Sequence, residues 1–548
     1  MRPAANDFPD QRRKGPMRPY LSTTAVSLLL VCLATGRGRA QDTEPANVSS
    51  DIKAVMDKPL YKGATWGLRV VDLDTGQVLV DLKPNHQFFI GSVRKLFTIG
   101  ELLDQIGPNH RFNTPVYRSG PVNNRGVLWG DLILVASGDL TMGGRTKPDG
   151  TLAITNFDHN EANSLGTAQL TMPDPLAGYA EIAHQIARSG IKEVTGDVVI
   201  DDRLFQPYKW RTQFYLKPIF VNDDVVDLKI NRGEVGEHAL VGHRPISAAL
   251  AVDNDIIMQP ASGPTQITPT DPKCIGKPGC TAEVTGTLAE DYTPPFNIKY
   301  PLVRNFRITN PSNYARTVLI EQLRAAGVKV DAPTVEPNPT HLLPAKNCYE
   351  SRMRVADLQG LPYAEYAKWI LKVSYNIGAD TSLLLWGVTQ GTDDMQSTLA
   401  AEQKNLQEHY GIGPKQYHFV DGSGGEKTTA INRAVTHMLI DMTSRPAFPQ
   451  YFASLPILGV DGSLVFVTDF ESDSTLAPAK GQVHAKTGTF DVGTLIEGQA
   501  FAGYIHAKSG KHLVYHLDVN DVQSQDLTTL EQIFQDEGTI SAMLWRDN

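Results

Sequence analysis

Three short strings, far apart in the chain, carry side chains suited to acyl transfer. They are Ser92-Val93-Arg94-Lys95, Ser374-Tyr375-Asn376 and Lys486-Thr487-Gly488. A serine hydroxyl is a weak nucleophile until a nearby base takes its proton. Together the strings supply a serine nucleophile, a lysine base, a second cation and further hydroxyls, which are the parts of a site that forms a covalent acyl intermediate.

The first two strings predict the proton-transfer groups. Ser92 and Lys95 are three positions apart, so on a helix they lie on the same face. For Lys95 to act as a base it must be neutral, which burial and a nearby cation favour, and Lys486 is the natural cation. We expect Ser374 to pass a proton to the departing amine. Asn376 would orient Lys95 and the substrate amide.

The third string predicts the surface that binds the substrate. A strand at the edge of a sheet can pair with an extended peptide through backbone hydrogen bonds. Thr487 and Thr489 would bind a carboxylate together with Lys486, and Gly488 would let the ligand approach closely because it has no side chain. The backbone N–H groups of Thr489 and Ser92 would form an oxyanion hole.

Each string also has an ordinary structural explanation. The first would be a helix cap with a solvated lysine, the second a polar turn and the third the end of a strand. Short patterns specify chemistry loosely, and Ser-x-x-Lys also begins at Ser50 and Ser189. The occurrence of all three strings on suitable elements favours a real site.

The elements around these strings predict an α/β (α+β) fold with an antiparallel sheet flanked by helices. Apolar runs at 66–73 and 77–82 flank a turn, and a second such pair lies at 498–505 and 512–519. A helical apolar pattern runs from Ser92 to the stop at Gly107-Pro108. A last helical pattern, which begins at Leu527, would pack on the same sheet.

A large insert is expected to interrupt this domain. In the middle of the chain, helical stretches end at Gly190 and Gly327, and a short strand-like run follows each glycine. The segment 211–300 is rich in Pro, Gly, Thr and Asp, which indicates a small β-rich unit. We therefore predict a catalytic domain of 41–115 plus 349–548, an inserted domain of 116–210 plus 301–348, and a third domain, 211–300, nested in the second.

Composition and charge indicate an exported protein of several domains. The chain has 548 residues, and basic residues before an apolar stretch at about 25–34 predict a signal peptide of residues 1–40. Without that segment the net charge is −14, because it carries seven basic and two acidic residues. The acidic body argues against nucleic acid or an anionic membrane as a partner. No integral membrane segment is expected after cleavage.

Cysteine spacing predicts one disulfide. Cys274 and Cys280 flank a turn, Ile-Gly-Lys-Pro-Gly, and an oxidising compartment would let them bond. The alternative for this pair is free, buried thiols. Cys348 is left over, and we expect it to be inert.

At the three strings that begin with Ser92, Ser374 and Lys486, the chain resembles the D-alanyl-D-alanine carboxypeptidase/endopeptidase family of low-molecular-weight penicillin-binding proteins. Within that family it resembles the class with a large insert (peptidase family S13, the DacB type). The resemblance covers about residues 66–520. Ser92 and Ser374 are 282 positions apart, a gap that resembles this subfamily rather than serine β-lactamases. Supporting strings include Ser137-Gly138-Asp139, Asp421-Gly422-Ser423-Gly424 and Gly459-Val460-Asp461-Gly462-Ser463.

The resemblance implies a serine enzyme that needs no metal or cofactor. It implies hydrolysis of the terminal D-Ala of peptidoglycan stem peptides and of D-Ala cross-links, covalent inhibition by β-lactams, and a location in the periplasm or at the cell surface. Asp201 would bind the side-chain amine of a diamino acid, although a solvated aspartate at a strand end is the alternative.

The chain departs from the family around the nucleophile. The family commonly has Pro-Ala-Ser where Ile90-Gly91-Ser92 stands here, and Arg94 is bulky. These changes raise a rival function, a penicillin-binding scaffold that has lost turnover. A serine β-lactamase is a second rival. The sequence contains no His-Glu-x-x-His, P-loop, Cys-x-x-Cys or Gly-x-Ser-x-Gly motif, so metalloprotease, nucleotide-binding and α/β-hydrolase functions lack support.

Overall fold

The computed structural model describes residues 47–524 and 527–548. The signal peptide predicted for residues 1–40 lies outside this part of the chain. Helix accounts for 32% and strand for 28%, and the expected mixed α/β fold is confirmed. Within residues 47–524 and 527–548, no helix is both long and apolar enough to cross a membrane.

The central element is a five-stranded antiparallel sheet. In spatial order its strands are Val78–Leu82, Thr65–Asp72, His512–Gln523, Leu495–His506 and Val483–Val492. Both hairpins predicted from the apolar runs are therefore confirmed, and they share one sheet. The strand Val483–Val492, here called the edge strand, carries Lys486 to Thr489 and has only one neighbour in this sheet, as predicted.

The central sheet separates two apolar cores, because successive side chains of a strand point to opposite faces. Ala500 and Ala502 belong to one core, whereas Phe501 between them belongs to the other. The core around Phe501 is closed by the helices Ser50–Met56 and Leu527–Asp547. The opposite core is built from the helices Lys95–Ile106, Tyr363–Val373, Asn376–Thr389, Met395–His409, Asn432–Met442 and Phe448–Ala453.

The segments predicted to form the insert build further sheets, and most of their buried apolar residues belong to a separate core. A four-stranded sheet has the order Arg354–Pro362, Arg111–Arg118, Leu132–Val135 and Val198–Asp201. The helices Ala177–Arg188 and Pro311–Ala325 lead into the strands Glu193–Val194 and Lys329–Val330, which pair with each other in parallel. The two helix-to-strand units expected at Gly190 and Gly327 are thus confirmed, and they contact each other.

The segment 211–300 is rich in strands, as its composition predicted. One sheet has the order Leu240–Arg244, Val225–Asn231 and Leu302–Arg307, and a second has the order Ala251–Gln259, Thr281–Ala289 and Gln266–Thr270. The hairpin of Tyr208–Trp210 and Phe214–Leu216, here called the insert hairpin, precedes them. Smaller strands are Val127–Leu128, Gln87–Phe89, Tyr417–His418 and Thr429–Ile431.

The domain division stays a prediction, and paired strands cross its boundaries. Leu302–Arg307, which we assigned to the second domain, pairs with Val225–Asn231 of the third. The expected boundary after residue 115 lies within Arg111–Arg118. The strand Arg354–Pro362, which we assigned to the catalytic domain, pairs with Arg111–Arg118 in the sheet of the insert. Backbone pairing across the boundary explains why composition alone misses the exact position at which the chain leaves one unit for the other.

The predicted disulfide between Cys274 and Cys280 is confirmed, with an S–S distance of 2.05 Å. It closes the turn that precedes the strand Thr281–Ala289. Cys348 is a free, exposed thiol.

Candidate active site

The nucleophile string forms a tight turn before the helix. Gly91–Arg94 is a single 3₁₀ turn that continues directly into the helix Lys95–Ile106, so the helix starts three residues later than the predicted start at Ser92. Turns of this kind are frequent at helix amino termini. The turn leaves Ser92 partly exposed, while Lys95 is completely buried beneath it.

The ammonium group of Lys95 has three oxygen neighbours. Its Nζ donates to Ser92 Oγ at 2.7 Å, to Asn376 Oδ1 at 2.7 Å and to the Ser423 carbonyl at 2.8 Å. A carbonyl and an amide oxygen can only accept, whereas a hydroxyl can also donate. When Lys95 loses a proton, only Ser92 can therefore point a hydrogen at the vacated lone pair. The contacts prepare Lys95 to take the proton of Ser92.

The environment of Lys95 favours the neutral base. Its pKa is lowered to about 7, first by burial and second by the positive charge of Arg211. Three carboxylates act in the opposite direction, those of Asp380, Asp421 and Glu161. We predicted that Lys486 would be the cation that lowers this pKa. The charges of Lys95 and Lys486 do interact, and the interaction lowers the pKa of Lys486. The sequence missed the contribution of Arg211, which the insert brings to the site and which carries no recognisable motif.

The second string joins two helices. Ser374 ends the helix Tyr363–Val373 in a left-handed conformation, with φ of 61°, and Asn376 starts the next helix. This short connection directs both side chains to the two lysines. Lys486 Nζ donates to Ser374 Oγ at 3.0 Å and to the Thr487 carbonyl at 2.6 Å. Burial and the charge of Lys95 lower the pKa of Lys486 well below its usual range.

The hydroxyls of the edge strand have different surroundings. Thr487 Oγ1 lies 2.8 Å from Ser463 Oγ, next to Lys486. The hydroxyl of Thr489 donates to Gln499 Oε1 at 2.6 Å and is therefore engaged within the sheet. The contact that we predicted between this hydroxyl and a substrate carboxylate is therefore not supported.

Two glycines let the edge strand lie directly against the nucleophile turn. A Cβ at Gly488 would be 2.0 Å from the Ile90 carbonyl oxygen, and a Cβ at Gly91 would be 2.6 Å from the backbone carbonyl oxygen of Thr489. Gly91 also has φ of +46°, which L side chains rarely adopt. We predicted that Gly488 makes room for a ligand, but its missing side chain makes room for the backbone that carries the nucleophile.

Arg94, one of the departures from the family, lies away from the cleft. Its guanidinium forms a buried ion pair with Glu402, at 2.6 and 2.7 Å, and its Nε donates to the Asp421 carbonyl at 2.9 Å. The Asp421 carboxylate in turn accepts the backbone N–H groups of Ser423 and the two residues that follow. Arg94 thus supports the loop that supplies the Ser423 carbonyl to Lys95.

Asp201 is not brought to this site. Its buried carboxylate accepts two hydrogen bonds from Arg203, at 2.7 and 2.8 Å, and one from the hydroxyl of Tyr349. The predicted contact with a substrate amine is therefore not supported, and the alternative of a solvated aspartate is wrong as well. A cavity does adjoin Asn376, but its acidic and basic side chains are others, Glu161 and Arg211 among them.

Comparison with known proteins identifies the family. The model of the D-Ala-D-Ala carboxypeptidase 3 (S13) family matches residues 48–535. The chain belongs to this family. It is accordingly an enzyme, a serine-type D-Ala-D-Ala carboxypeptidase, and the resemblance seen in its strings is confirmed.

Relatives of this S13 enzyme extend over most of its length. A D-alanyl-D-alanine carboxypeptidase of Actinomadura sp. (strain R39) is 24% identical over 522 residues, which cover 91% of this chain and 86% of the relative. Penicillin binding protein 4 (dacB) from Haemophilus influenzae has a similar fold, with a TM-score of 0.68, 18% identity, and coverage of 91% of this chain and all of that one. A complex of that protein with a novel beta-lactam gives a TM-score of 0.65 at the same identity and coverage.

Proposed function

We propose that the protein is a peptidoglycan DD-peptidase that works through an acyl-enzyme on Ser92. The observation that carries this proposal is the contact of 2.7 Å between Lys95 Nζ and Ser92 Oγ. Of the three oxygens around Nζ, only that of Ser92 can return a proton. Lys95 is the general base and Asn376 holds it in position through its side-chain oxygen.

The reaction proceeds in two transfers of the acyl group. Ser92 Oγ attacks the carbonyl carbon of the penultimate D-Ala, and its proton moves to Lys95. The resulting oxyanion accepts hydrogen bonds from the N–H groups of Ser92 and Thr489. The C–N bond then breaks, and the departing amine takes the proton that Lys95 received from Ser92, relayed through Ser374, which lies next to Lys486. Water hydrolyses the ester and restores the serine.

The edge strand is the proposed binding site for the leaving D-Ala and for the backbone of the substrate peptide. Lys486 and the hydroxyl of Thr487 bind the carboxylate of the leaving D-Ala, and the strand backbone pairs with the peptide. In a stem peptide the D-Ala carbonyl is bonded to a terminal D-Ala, and in a cross-link it is bonded to a diamino acid. The same D-Ala acyl group is transferred to Ser92 in both cases, so we propose that carboxypeptidase and endopeptidase reactions share these residues. A β-lactam carries a carboxylate next to a strained amide, and we propose that it acylates Ser92 in the same way.

The proposal implies a location outside the cytoplasm. Peptidoglycan stem peptides lie outside the cytoplasmic membrane, so we propose that the enzyme is periplasmic or at the cell surface. No observation favours the two rival functions. The scaffold was suggested only by the residues around Ser92, and Gly91 and Arg94 both have structural roles that keep the nucleophile in place.

A direct test compares Ser92→Ala with Ser50→Ala. Ser50 also begins a Ser-x-x-Lys string, but it lies exposed in the helix Ser50–Met56. We expect Ser92→Ala to lose both covalent labelling by fluorescent penicillin and release of D-Ala from a pentapeptide, and Ser50→Ala to keep both. Labelling of the Ser92→Ala protein at the wild-type level would show that another residue is the nucleophile.

A further inference from the structure

A buried cluster of charged side chains contacts the connection that carries Ser374 and Asn376. It contains three basic and three acidic residues, namely Arg145, His159, Arg244, Asp158, Asp223 and Asp227. All of them except Arg244 are at most 3% exposed. None of the six lines the cavity beside Asn376, and the proposed reaction uses none of them. The cluster can therefore act on the reaction only through the residues that it supports.

The ring of His159 lies between two carboxylates. Its Nδ1 is 2.7 Å from Asp227 Oδ1, and its Nε2 is 2.7 Å from Asp223 Oδ2. A carboxylate can only accept, and a neutral imidazole has a single N–H, so both contacts are hydrogen bonds only when the ring is charged. Burial alone would lower the pKa of His159, but the charge of Asp227 and the hydrogen bonds to Asp223 and Asp227 raise it to about 9. The ring is therefore positively charged at neutral pH.

The charges around this ring balance only while His159 is protonated. Arg145 donates to Asp223 at 2.6 Å and to the two oxygens of Asp158 at 2.8 and 2.9 Å, and Arg244 donates to Asp227 at 3.0 Å. Asp158 Oδ1 also lies 3.9 Å from the Nε2 of His159. In the part of the chain that the structure describes, no further charged side chain pairs with this ring. Loss of the His159 proton would leave one buried negative charge uncompensated, which is costly.

The cluster holds a strained turn of the backbone. Asn222, Asp223 and Asp224, which follow the insert hairpin, have φ of 47°, 59° and 61°. Residues other than glycine rarely adopt such values, and the strain persists only where surrounding contacts fix the backbone. The ion pairs of the Asp223 carboxylate with His159 and Arg145 are contacts of this kind. The turn is therefore expected to depend on the charge of His159.

Tyr375, between Ser374 and Asn376, contacts this turn. Its hydroxyl donates to the backbone carbonyl of Asp223 at 3.4 Å, and its ring centre lies 4.3 Å from that of Trp369. Trp369 in turn packs against the cluster, since Arg145 lies 4.2 Å from its ring centre and its ring N–H donates to Asp158 at 3.3 Å. The side chain of Tyr375 thus meets the cluster through two contacts.

A second route from the cluster to the site is the segment 156–161, here called the strap, which contains Asp158 and His159. Near one end, Asn156 Oδ1 accepts the backbone N–H of Gly462 at 2.9 Å, next to the serine that contacts Thr487. At the other end, Glu161 Oε1 accepts from Asn376 Nδ2 at 3.3 Å. The strap therefore contacts the catalytic residues on both sides, and His159 fixes it between these contacts.

We propose that His159 is a positioning residue for acylation: its charged ring fixes the strap and the strained turn, and these hold Asn376 and Ser374 beside Lys95 and Lys486. Loss of the charge would loosen both supports, so acylation slows although Lys95 itself stays a neutral base. This inference rests on the proposed function, because it assumes that Ser92 is acylated with the help of these side chains.

The first test is the alkaline part of the pH profile of the wild-type enzyme. The assay is the second-order rate constant for labelling by fluorescent penicillin between pH 7 and pH 10.5. With a pKa of about 9 for His159, the charged fraction falls from about 91% at pH 8 to about 9% at pH 10, so the rate should fall about tenfold over this interval. The base Lys95 is already neutral there and cannot cause the fall.

Substitutions assign the alkaline fall to His159. Asp227→Asn removes the charge that raises the pKa of His159, so the fall should move to lower pH. His159→Gln should lower the rate at pH 8 by at least about tenfold, since small displacements of catalytic groups are costly, and its residual rate should no longer fall near pH 9. His159→Lys keeps a positive charge at pH 9 and should restore part of the rate there.

The matched control is His238→Gln. His238 also lies in the insert and near a carboxylate, with its Nδ1 3.9 Å from Asp255 Oδ1, but both side chains are exposed. We expect the control to keep the wild-type rate and the wild-type alkaline fall. Thermal unfolding of every protein at each pH shows whether it is folded where its rate is measured.

The outcomes separate this inference from the proposed function. A wild-type rate that stays level from pH 8 to pH 10, or that falls only where the protein unfolds, would overturn the positioning role. An alkaline fall at the same pH in Asp227→Asn would overturn it too, and these two measurements decide the matter if His159→Gln does not fold. Labelling that is lost in Ser92→Ala would still support the acyl-enzyme, whatever the form of the alkaline profile.

Discussion

Acylation of Ser92 should increase with pH, with a midpoint near pH 7. The pKa of Lys95 is lowered to about 7, and only the neutral amine can accept the serine proton. With this pKa, the neutral fraction rises from about 9% at pH 6 to about 91% at pH 8, so the rate should rise about tenfold. The assay is the second-order rate constant for labelling by fluorescent penicillin between pH 5.5 and 8.5.

Two substitutions should move this midpoint in opposite directions. Arg211→Gln removes a positive charge that lowers the pKa of Lys95, so the midpoint should move to higher pH. Asp380→Asn removes a negative charge that raises the pKa of Lys95, so the midpoint should move to lower pH. Burial and then the charge of Asp421 raise the pKa of Asp380 itself to about 7. Asp380 and Lys95 therefore titrate together, and the wild-type curve should be broader than that of Asp380→Asn.

Arg211→Gln also affects the carboxylates near Lys95, because the charge of Arg211 lowers the pKa of Glu161 and of Asp380. The charge of Arg211 affects the pKa of Lys95 more than any of the three carboxylates does, so its direct loss sets the direction of the shift in Arg211→Gln. Arg232→Gln, which removes a cation far from this site, should leave the midpoint where it is. A wild-type rate that is flat between pH 6 and 8, or a shift of both variants in the same direction, would refute the assignment of Lys95 as the base.

Three further predictions concern residues that support the structure around the site or elsewhere in the chain. Gly91→Ala, which restores the residue common in the family, should reduce penicillin labelling by at least about tenfold, because its Cβ would press on the backbone of Thr489 at a positive φ. Arg94→Leu should lower the free energy of unfolding by about 3–5 kcal/mol, because it leaves a buried carboxylate unpaired; urea unfolding measures this, and an unchanged midpoint would contradict it. Replacing both Cys274 and Cys280 by Ser should lower the free energy of unfolding by about 2 kcal/mol, because the disulfide is lost. Differential scanning calorimetry measures this loss, and labelling by fluorescent penicillin should persist in the variant.

The sequence was sufficient for the elements whose signals are local. Alternating apolar runs on each side of short turns predicted both hairpins of the central sheet, and the apolar pattern that ends at Gly107 predicted the helix behind Lys95. The turn between Cys274 and Cys280 predicted the disulfide. Such signals succeed because periodicity and turn chemistry depend on neighbours within a few residues. The start of the helix was missed by three residues, because local propensity does not distinguish a 3₁₀ turn from the first turn of an α-helix.

By itself, the sequence determined which side chains can carry the chemistry, since the three strings contain a nucleophile, a base and a second cation. Only the tertiary structure decided that Arg211 contributes a charge that lowers the pKa of Lys95, that the Thr489 hydroxyl is engaged by Gln499, and that the Asp201 carboxylate is engaged by Arg203 and Tyr349. The physical reason is that charge and close contact act through space. Arg211 lies in the insert hairpin, more than a hundred positions from Lys95 in the chain, so no local sequence pattern predicts that the two residues interact.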